Sequence, residues 1–396
     1  MEYIIETNKT GVTDTYDVLV AGGGIAGIAA ALSAARQGAK VILLEKQFLL
    51  GGLATAGLVT IYLPLCDGMG KQVSFGIAEE LLRLSIRYGW EDKYPKPWLE
   101  NGSSAEKAKT RFEVQYNPQL FAILAEQLLK QEGVKILYGT AVCAVEKECD
   151  LIKSVIVENK SGRSAIRLTS VVDATGDADV CHLAGEPCEL FHQKNVLAAW
   201  YYYYSQKGYN LKMLGFADVP ENEKNTAAYD KPLIPRRFQG VDGEELSEMA
   251  QLAHEVLLKD VLKNRAADST YIPTAIAVIP QVRMTRRLCG AYTLSEADCK
   301  KHFPDSIGMI ANWKKRGPVY EIPFRSLYGE IYANLITAGR CISAEESMWD
   351  ISRVIPACAV TGEAAGIAAS MSNCFRTLDI DALQKALTAQ GVKLYL

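Results

Sequence analysis

Three glycines near the start of the chain stand at the spacing G-x-G-x-x-G: Gly22, Gly24 and Gly27. The first permits a tight turn, the second lets a pyrophosphate approach the backbone, and the third lets a helix pack closely on a sheet. A helix that starts at such a turn also offers free N–H groups and a partial positive charge to an anion. Glu45, 18 residues after Gly27, can accept hydrogen bonds from a ribose. This spacing predicts a dinucleotide-binding site.

The segments that hold these residues form a predicted βαβ unit. DVLVAG is an apolar strand, IAGIAAALSAARQG is an alanine-rich helix that ends at Gly38, and KVILLEK is a second strand parallel to the first. The unit has the usual length of about 30 residues. By itself it does not decide between NAD and FAD.

Two further glycine turns follow apolar strands much later in the chain, in VVDATGDADV at 171–180 and in LITAGR at 335–340. A long cofactor that lies across a doubly wound sheet is contacted at the carboxyl ends of several strands, and distant segments supply those ends. A typical NAD dehydrogenase would instead continue with further βα repeats in one contiguous domain. The interrupted pattern therefore favours FAD.

The other segments predict a β-meander and an inserted second region. A helix at 117–132 precedes short strands rich in Val and Ile, and from 191 onwards come the aromatic segment WYYYYSQKGY, a Pro- and polar-rich stretch at 218–243 and an amphipathic helix at 244–263. We therefore expect an α/β fold, in which a Rossmann-like FAD-binding domain, its parallel sheet carrying the β-meander, holds an inserted α+β cap or substrate domain. The expected boundaries are 14–66, 110–190 and 331–396 for the discontinuous FAD-binding domain, and 67–109 and 191–330 for the substrate or cap region.

The bulk composition limits the class of partner. Of the 396 residues 49% are apolar and 22% charged, and the net charge of −3 comes without a run of like charges, which argues against nucleic-acid and membrane-surface binding. The ten cysteines contain no C-x-x-C and only four histidines are present, so no metal site is expected. The N-terminus does not resemble a signal peptide, and no stretch reaches the roughly 18 apolar residues of a spanning helix. We expect a cytoplasmic protein with a small-molecule substrate, and a homo-oligomer stays open.

Four segments together resemble the motifs of one known family. They are YDVLVAGGGIAGIAAALSAARQGAKVILLEK at 16–46, GGLATAGLV at 51–59, VVDATGDADV at 171–180, and LITAGRCISAEE with SRVIPACAVTGEAAGIAA within 335–369. In this order they are similar to the nucleotide fingerprint and the later flavin motifs of FAD-dependent oxidoreductases of glutathione-reductase-like fold. The nearest group is a bacterial and archaeal one of mostly unknown substrate. The middle region of that group also resembles two segments of this chain, RMTRRLCGAYTLSEAD and YEIPFRSLYGE. The resemblance covers nearly the whole chain.

The resemblance implies which residues contact FAD. The helix that begins near Pro356 would direct its N-terminus at the flavin N1/C2 carbonyl, where reduced flavin carries negative charge. For Gly362, Ala364 and Gly366, contact with FAD and close helix packing both stay open. The implied cofactor residues are Gly22, Gly24, Ile25, Ala26, Gly27, Glu45 and Lys46 at the ADP half, Gly51, Gly52, Leu53 and Ala54 at the pyrophosphate and flavin, Val142 at the adenine, Ala174, Thr175, Gly176 and Asp177 along the cofactor, and Gly339, Arg340 and Ile355 at its ribityl, phosphate and flavin portions.

Two features that the sequence lacks limit the possible reactions. It has no second G-x-G-x-x-G for a built-in NAD domain, and the segment after the βαβ unit has a single thiol, Cys66, where disulfide reductases carry a redox pair. We therefore expect oxidation or reduction of a small organic substrate by hydride transfer at flavin N5, in a pocket between the FAD and cap domains. Two alternatives stay open: a flavin monooxygenase or halogenase-like enzyme, and an electron-transfer subunit docked to iron–sulfur partners. The second is disfavoured because the chain has no cysteine cluster.

Candidate substrate and catalytic groups come from the middle and C-terminal segments. Arg283, in a cluster with two further arginines, could hold a carboxylate or polar oxygen, and Tyr320 or Arg353 could orient substrate or relay a proton. These three are the predicted catalytic residues. Further candidates, for which a structural role is the stronger interpretation, are Arg286, Arg287, Arg325, His182, His302, the thiols Cys66 and Cys341, and the aromatic run 200–204.

Overall fold

A computed structural model describes residues 7–89, 93–215 and 232–396. The strands in these ranges are β1 (Val12–Ala21), β2 (Val41–Glu45), β3 (Ile61–Tyr62), β4 (Val114–Gln115), β5 (Lys135–Tyr138), β6 (Ala141–Glu148), β7 (Leu151–Asn159), β8 (Gly162–Asp173), β9 (Cys188–Leu190), β10 (Ala199–Ser205), β11 (Gly208–Leu214), β12 (Ile272–Ile276), β13 (Arg286–Leu288), β14 (Ser306–Ala311), β15 (Val319–Pro323) and β16 (Leu335–Thr337). The helices are α1 (Ile25–Arg36), α2 (Ile77–Ser85), α3 (Lys96–Leu99), α4 (Ser104–Lys109), α5 (Pro118–Gln131), α6 (Asp179–Ala184), α7 (Gly243–Ala267), α8 (Glu346–Ser352), α9 (Ile355–Met371) and α10 (Ile380–Ala389).

The main sheet has the order β5-β2-β1-β8-β7-β6, and β16 also pairs with β8. The pairs β5–β2, β2–β1, β1–β8 and β8–β16 are parallel, whereas β6, β7 and β8 form an antiparallel meander. Every residue of β2 is buried, because one face packs against α1 and the other against residues of the β-meander. The predicted α/β fold is therefore confirmed: a βαβ unit starts the sheet, and β8 leaves the meander to rejoin it beside β1.

Helices α1 and α9 lie against each other in the core of this domain. A Cβ atom on Gly362 would lie 2.3 Å from the Ala26 carbonyl oxygen, and one on Gly366 would lie 2.1 Å from that of Ala30. Because a side chain larger than hydrogen does not fit there, both glycines serve helix packing. The Ser33 hydroxyl adds a hydrogen bond of 2.9 Å to a carbonyl oxygen of α9.

The inserted region contains the sheet β11-β10-β12, which packs on α7. The Tyr201 hydroxyl donates to Asp260 of α7 at 2.5 Å, and the ring of Tyr203 stacks on Tyr271 at 4.4 Å. The intervening Tyr202 hydroxyl instead bonds Thr60 at 2.6 Å and so ties this sheet to the segment after the first cofactor motifs. The aromatic run 200–204 therefore packs a sheet, which is the structural role that the sequence favoured for it.

Helix α7 begins one residue before the predicted 244–263, where Asp242 caps its N-terminus by accepting a backbone N–H of the first turn, and it continues four residues further, to Ala267. Of the predicted polar stretch, residues 218–231 lie outside the described residues. Helix α2, placed with the cap by the predicted boundaries, packs against α9 and α5. Among the described residues no single helix is both long and apolar enough to cross a membrane.

Candidate functional site

A cleft of about 410 Å³ opens at the edge where the parallel strands of the main sheet end. Turns after four strands line it: Gly22 follows β1, Lys46 follows β2, Thr175 follows β8, and Gly339 follows β16. The carboxyl ends of parallel strands meet at one edge, and this edge is where such sheets bind ligands. The three glycine turns that are far apart in sequence therefore meet in one cavity.

Most of the cofactor residues predicted from sequence line this cleft. The exception is Gly27, where a Cβ atom would lie 1.8 Å from the Gly22 carbonyl oxygen, so that its absent side chain permits helix-to-turn packing. The three small residues of α9 that were left open, Gly362, Ala364 and Gly366, are not among the lining residues either. The predicted residues that do line the cleft are Gly22, Gly24, Ile25, Ala26, Glu45, Lys46, Gly51, Gly52, Leu53, Ala54, Val142, Ala174, Thr175, Gly176, Asp177, Gly339, Arg340 and Ile355.

The first glycine turn leaves a bare backbone surface. Gly22 has a φ of +101°, and a Cβ there would lie 2.5 Å from the Ala174 carbonyl oxygen, so only glycine fits the turn. Gly24 has ordinary extended geometry, and a Cβ there would meet no protein atom within 4 Å. It is the residue before α1 and gives that helix no side-chain cap, so first-turn N–H groups stay open to the cleft. An anionic group can approach the chain here.

Glu45, at the end of β2, fixes the shape of this turn. One carboxylate oxygen accepts the Gly23 N–H at 2.8 Å and the other accepts the Gln47 N–H at 2.7 Å. Burial raises the pKa of this carboxyl, and the two N–H groups act in the opposite direction. Each oxygen keeps further acceptor capacity toward the cleft, because a carboxylate has about four lone-pair sites.

Arg340 joins three segments of the wall. Its guanidinium donates to the Gly176 carbonyl oxygen at 2.6 Å, to the Val282 carbonyl oxygen at 2.9 Å and to Asp177 at 2.6 Å. The Thr285 hydroxyl donates to the same oxygen of Asp177 at 2.7 Å. Arg340 thus lines the cleft as predicted, but three of its five N–H groups hold protein atoms and give it a positioning role.

The start of α9 also lines the cleft, with Arg353, Val354, Ile355 and Cys358. Arg353 pairs with buried Asp350, which also pairs with Lys314, so two cations share one carboxylate. Burial alone would raise the pKa of Asp350, but these two cations hold it below its usual value. Arg353 Nε is buried and has no hydrogen-bond partner among the described residues. This end of the cleft is positively charged.

An apolar wall from the inserted region closes the site. Val278, Ile279 and Pro280 line it, together with Val59 and other apolar side chains of the segment after the second motif. Two long-range hydrogen bonds hold this wall. The Val278 N–H donates to the Ala56 carbonyl oxygen at 2.9 Å, and the Gln281 side-chain N–H donates to the Gly57 carbonyl oxygen at 2.5 Å.

Arg283 stands at the end of this wall. The residue is 4% exposed and lines the cleft, and its guanidinium lies 5.0 Å from the centre of the Trp200 ring. Stacking on an aromatic face orients the plane of a guanidinium. Arg283 and Arg353, both predicted from sequence, are therefore brought to the same cavity.

The third predicted catalytic residue requires a correction. Tyr320 lies on β15, is 3% exposed and packs in the main hydrophobic core rather than lining the cleft. Burial is the main cause that raises the pKa of its hydroxyl. Its neighbourhood in sequence to a family motif suggested a site role, but β15 pairs with β14 away from the strand ends. We therefore give it no role in the reaction.

The weaker candidates also have structural partners and lie outside the cleft lining. Arg286 bonds Asp179 and a turn carbonyl, Arg287 pairs with Glu189, and Arg325 with Asp305. His302 is 65% exposed and lies 3.3 Å from Glu321, and His182 is exposed on α6. The Cys66 sulfur accepts a backbone N–H, and the Cys341 thiol donates to the Asp173 and Ala338 carbonyl oxygens.

Sequence reasoning missed several lining residues. Cys358 could have been found, because it stands three residues after Ile355 on the same face of the helix start. Burial raises the pKa of its thiol to about 12, so it stays a neutral thiol at neutral pH. The wall at 278–282 carries no motif and no regular secondary structure, since β12 ends at Ile276.

Comparisons with known proteins agree with this fold. The family described as "FAD dependent oxidoreductase" matches residues 17–199 and 199–387. A curated thioredoxin reductase of Ureaplasma parvum serovar 3 is 36% identical over 78 residues, which are 20% of this chain and 25% of that protein, so the chain spans a quarter of its length.

Solved structures that are similar to this chain include the following two. A p-nitrophenol 4-monooxygenase from Pseudomonas putida DLL-E4 is 12% identical at a TM-score of 0.48, with 96% of this chain and 82% of that chain covered. A geranylgeranyl bacteriochlorophyll reductase-like protein from Thermoplasma acidophilum is 14% identical at a TM-score of 0.46, with the same coverage.

Proposed function

The chain belongs to the FAD-dependent oxidoreductase family, and from this premise we propose that it oxidises or reduces a small organic substrate held in the cleft beside FAD. When bound, FAD accepts or donates a hydride at its N5 atom. The observation that carries the proposal is one cavity with a bare glycine backbone at one end and two arginines with an apolar wall at the other. The first end suits a dinucleotide, and the second suits a substrate.

We assign the ADP half of FAD to the first glycine turn. The open space at Gly24 and the free N–H groups at the start of α1 would accommodate the pyrophosphate. Glu45 would accept hydrogen bonds from the ribose, beside Lys46. Val142 lines the cleft next to Thr140 and provides an apolar contact for the adenine.

The start of α9 is assigned to the flavin ring. The N–H groups of its first turn and the Arg353 guanidinium would stabilise the negative charge that a reduced flavin ring carries. Arg353 is held in place by Asp350, so its orientation needs no further ordering when the ring changes charge.

The remaining lining residues are assigned to the substrate. Val278, Ile279 and Pro280 would exclude water from the reacting carbon. Exclusion of water favours direct hydride transfer over exchange of a proton with the solvent. Arg283 would hold a carboxylate or another polar oxygen of the substrate, with its plane fixed by Trp200. In this assignment the arginine orients the substrate and takes no proton, since a guanidinium stays charged.

An anaerobic screen tests this proposal. Purified holoenzyme is mixed, without oxygen, with sugars, steroids, organic acids and amines, and the flavin absorbance is followed; chemically reduced enzyme is mixed with oxidised counterparts for the reverse reaction. We expect one chemical class to bleach or restore the absorbance, and Arg283→Met to raise the substrate concentration this needs. In a parallel assay with oxygen present, consumption of oxygen together with its insertion into an organic product would indicate a monooxygenase and overturn the proposal.

A further inference from the structure

Three charged groups meet beside the start of α9. One carboxylate oxygen of Asp350 pairs with Arg353 and the other oxygen pairs with Lys314. Arg353 lines the cleft, whereas Asp350 and Lys314 are not among its lining residues. Two positive charges and one negative charge leave these three groups with a net positive charge, and removal of Lys314 would leave them neutral. The function proposed above gives Lys314 no task.

Lys314 reaches this cluster from a different part of the fold, the turn that joins β14 to β15. The Asn312 side chain accepts the Lys314 N–H at 2.9 Å and so shapes this turn. The Trp313 ring N–H donates to the Asp350 carbonyl oxygen at 3.0 Å and thereby joins the turn to α8. The Lys314 side chain is 18% exposed, so its charge is partly shielded from water. The turn therefore holds a second cation next to Asp350.

The charge of Asp350 determines how much of the Arg353 charge acts in the cleft. Asp350 is 2% exposed and stays ionised at neutral pH, since its two cationic neighbours outweigh the effect of burial. With Arg353 as its only neighbour, this carboxylate would oppose the positive field of the guanidinium. Charges interact more strongly in such a poorly hydrated site than in water. Lys314 offsets the carboxylate, and the cleft therefore stays more positive at the start of α9.

We propose that Lys314 raises the reduction potential of the bound flavin through Asp350 and Arg353. Lys314 is then a positioning residue that contacts neither cofactor nor substrate. The inference rests on the proposed function, which places the flavin ring at the start of α9. A reduced flavin ring carries negative charge that the oxidised ring lacks, so a more positive surrounding favours the reduced form. The turn between β14 and β15 thus makes hydride uptake from a substrate more favourable.

The midpoint potential of the flavin tests this inference without any knowledge of the substrate. Wild-type, Lys314→Met and Lys314→Arg holoenzymes are reduced stepwise and anaerobically together with a redox dye of known potential. We expect a lower midpoint potential in Lys314→Met, because methionine keeps much of the side-chain length but removes the charge. Lys314→Arg keeps the charge and should have a potential close to that of the wild type. A wild-type potential in Lys314→Met would overturn the proposal.

A matched control separates this local effect from a general effect of net charge. Lys301 pairs with another buried carboxylate, that of Asp298, at 2.9 Å, and neither residue is among those that line the cleft. Lys301→Met removes the same charge as Lys314→Met, and we expect it to leave the potential unchanged. Equal shifts in the two variants would overturn the proposal.

Arg353→Met shows whether a failure concerns Lys314 or the placement of the flavin ring. With the ring at the start of α9, we expect Arg353→Met to lower the potential. A lower potential in Arg353→Met together with a wild-type value in Lys314→Met would overturn the role of Lys314 alone. Wild-type values in both variants would overturn the placement of the ring as well.

Discussion

Two glycines of one motif have opposite reasons to be glycine, and a pair of variants separates them. In Gly24→Ala the new methyl group meets no protein atom, so we expect an unchanged melting temperature but loss of bound FAD, because the methyl group projects into the cofactor cleft. Absorbance near the flavin band, per chain, measures this loss. Gly27→Ala is the matched comparison and should destabilise the fold, since its methyl group would overlap the Gly22 carbonyl. Full FAD content in Gly24→Ala would show that the pyrophosphate binds elsewhere.

Arg340→Ala should lower both stability and FAD retention. The substitution leaves two partly buried carbonyl oxygens and Asp177 without this donor, and we expect a loss of about 1–3 kcal/mol in the free energy of unfolding. Urea denaturation of the apoprotein measures the first effect, and flavin absorbance the second. Arg340→Lys keeps the charge but cannot reproduce the three-way contact, so it should recover only part of either property. A variant with wild-type stability would contradict the positioning role.

Glu363 on α9 gives a pH dependence of stability. Its carboxyl is buried, which raises its pKa to about 8 from the usual 4.5, and one oxygen has no hydrogen-bond partner among the described residues. Between pH 4.5 and 8 the folded state therefore keeps a proton that the unfolded state has released. The contribution of this group to the free energy of unfolding is therefore fully present below pH 4.5 and is lost as the pH rises to 8. The slope is at most about 1.4 kcal/mol per pH unit.

Glu363→Gln removes this titration while it keeps an oxygen to accept the Ile77 N–H. We expect the variant to gain stability relative to wild type as pH rises toward 8, in melting curves recorded at several pH values. Parallel wild-type and variant curves would contradict a neutral Glu363.

At the level of single residues, the sequence predicted what depends on local spacing. Gly22, Gly24 and Glu45 line one cleft, because a turn and the strand beside it determine their positions. Tyr320 was placed wrongly in the site because its role depended on which edge of the fold β15 reaches. Arg340 was found, but its partners Gly176 and Val282 lie 164 and 58 residues away and leave no signal in the sequence.

Helices α1 and α9 form the element pair that sets the geometry of both cleft ends, since each begins at the cleft. Gly366→Ala would place a methyl group 2.1 Å from the Ala30 carbonyl oxygen, and the helices would have to separate. Overpacking of this kind costs about 1–3 kcal/mol, and we expect that loss in denaturant titrations of the apoprotein.

Gly243→Ala is the control for that experiment. Gly243 begins α7, and a Cβ there meets no atom within 4 Å. It should change stability little or raise it, because alanine is the better helix former. Equal effects of the two substitutions would contradict close packing of α1 on α9.

Regular elements were predictable because their periodicity is local. The sequence patterns indicated four parts of the fold that the structure contains: the βαβ unit, the meander, α5 with its Asn117 cap, and α7. The apolar wall at 278–282 was not predictable, because it has no period and is held by hydrogen bonds to the segment around Gly57, more than 200 residues earlier. The substrate side of the cleft is therefore the part that sequence reasoning left open.

At the scale of the whole molecule, the cleft depends on the joining of two regions. The sheet edge supplies glycine turns and the helix N-termini of α1 and α9, and the inserted region supplies Arg283 and the apolar wall. Neither region alone encloses a reacting pair. We propose that a hydride passes between substrate and FAD inside this joint cavity.

Single-turnover reduction with an isotopically labelled substrate tests that claim most directly. Holoenzyme is mixed rapidly and anaerobically with the substrate found in the screen, either unlabelled or deuterated at the carbon that is oxidised, and flavin bleaching is timed. We predict that the flavin bleaches more slowly with the deuterated substrate and that the label appears in the reduced flavin before it exchanges with water. We also predict that the substrate reduces the flavin of the Arg283→Met variant more slowly than that of the wild type. Bleaching at the same rate for both substrates, with no label transferred, would contradict direct hydride transfer.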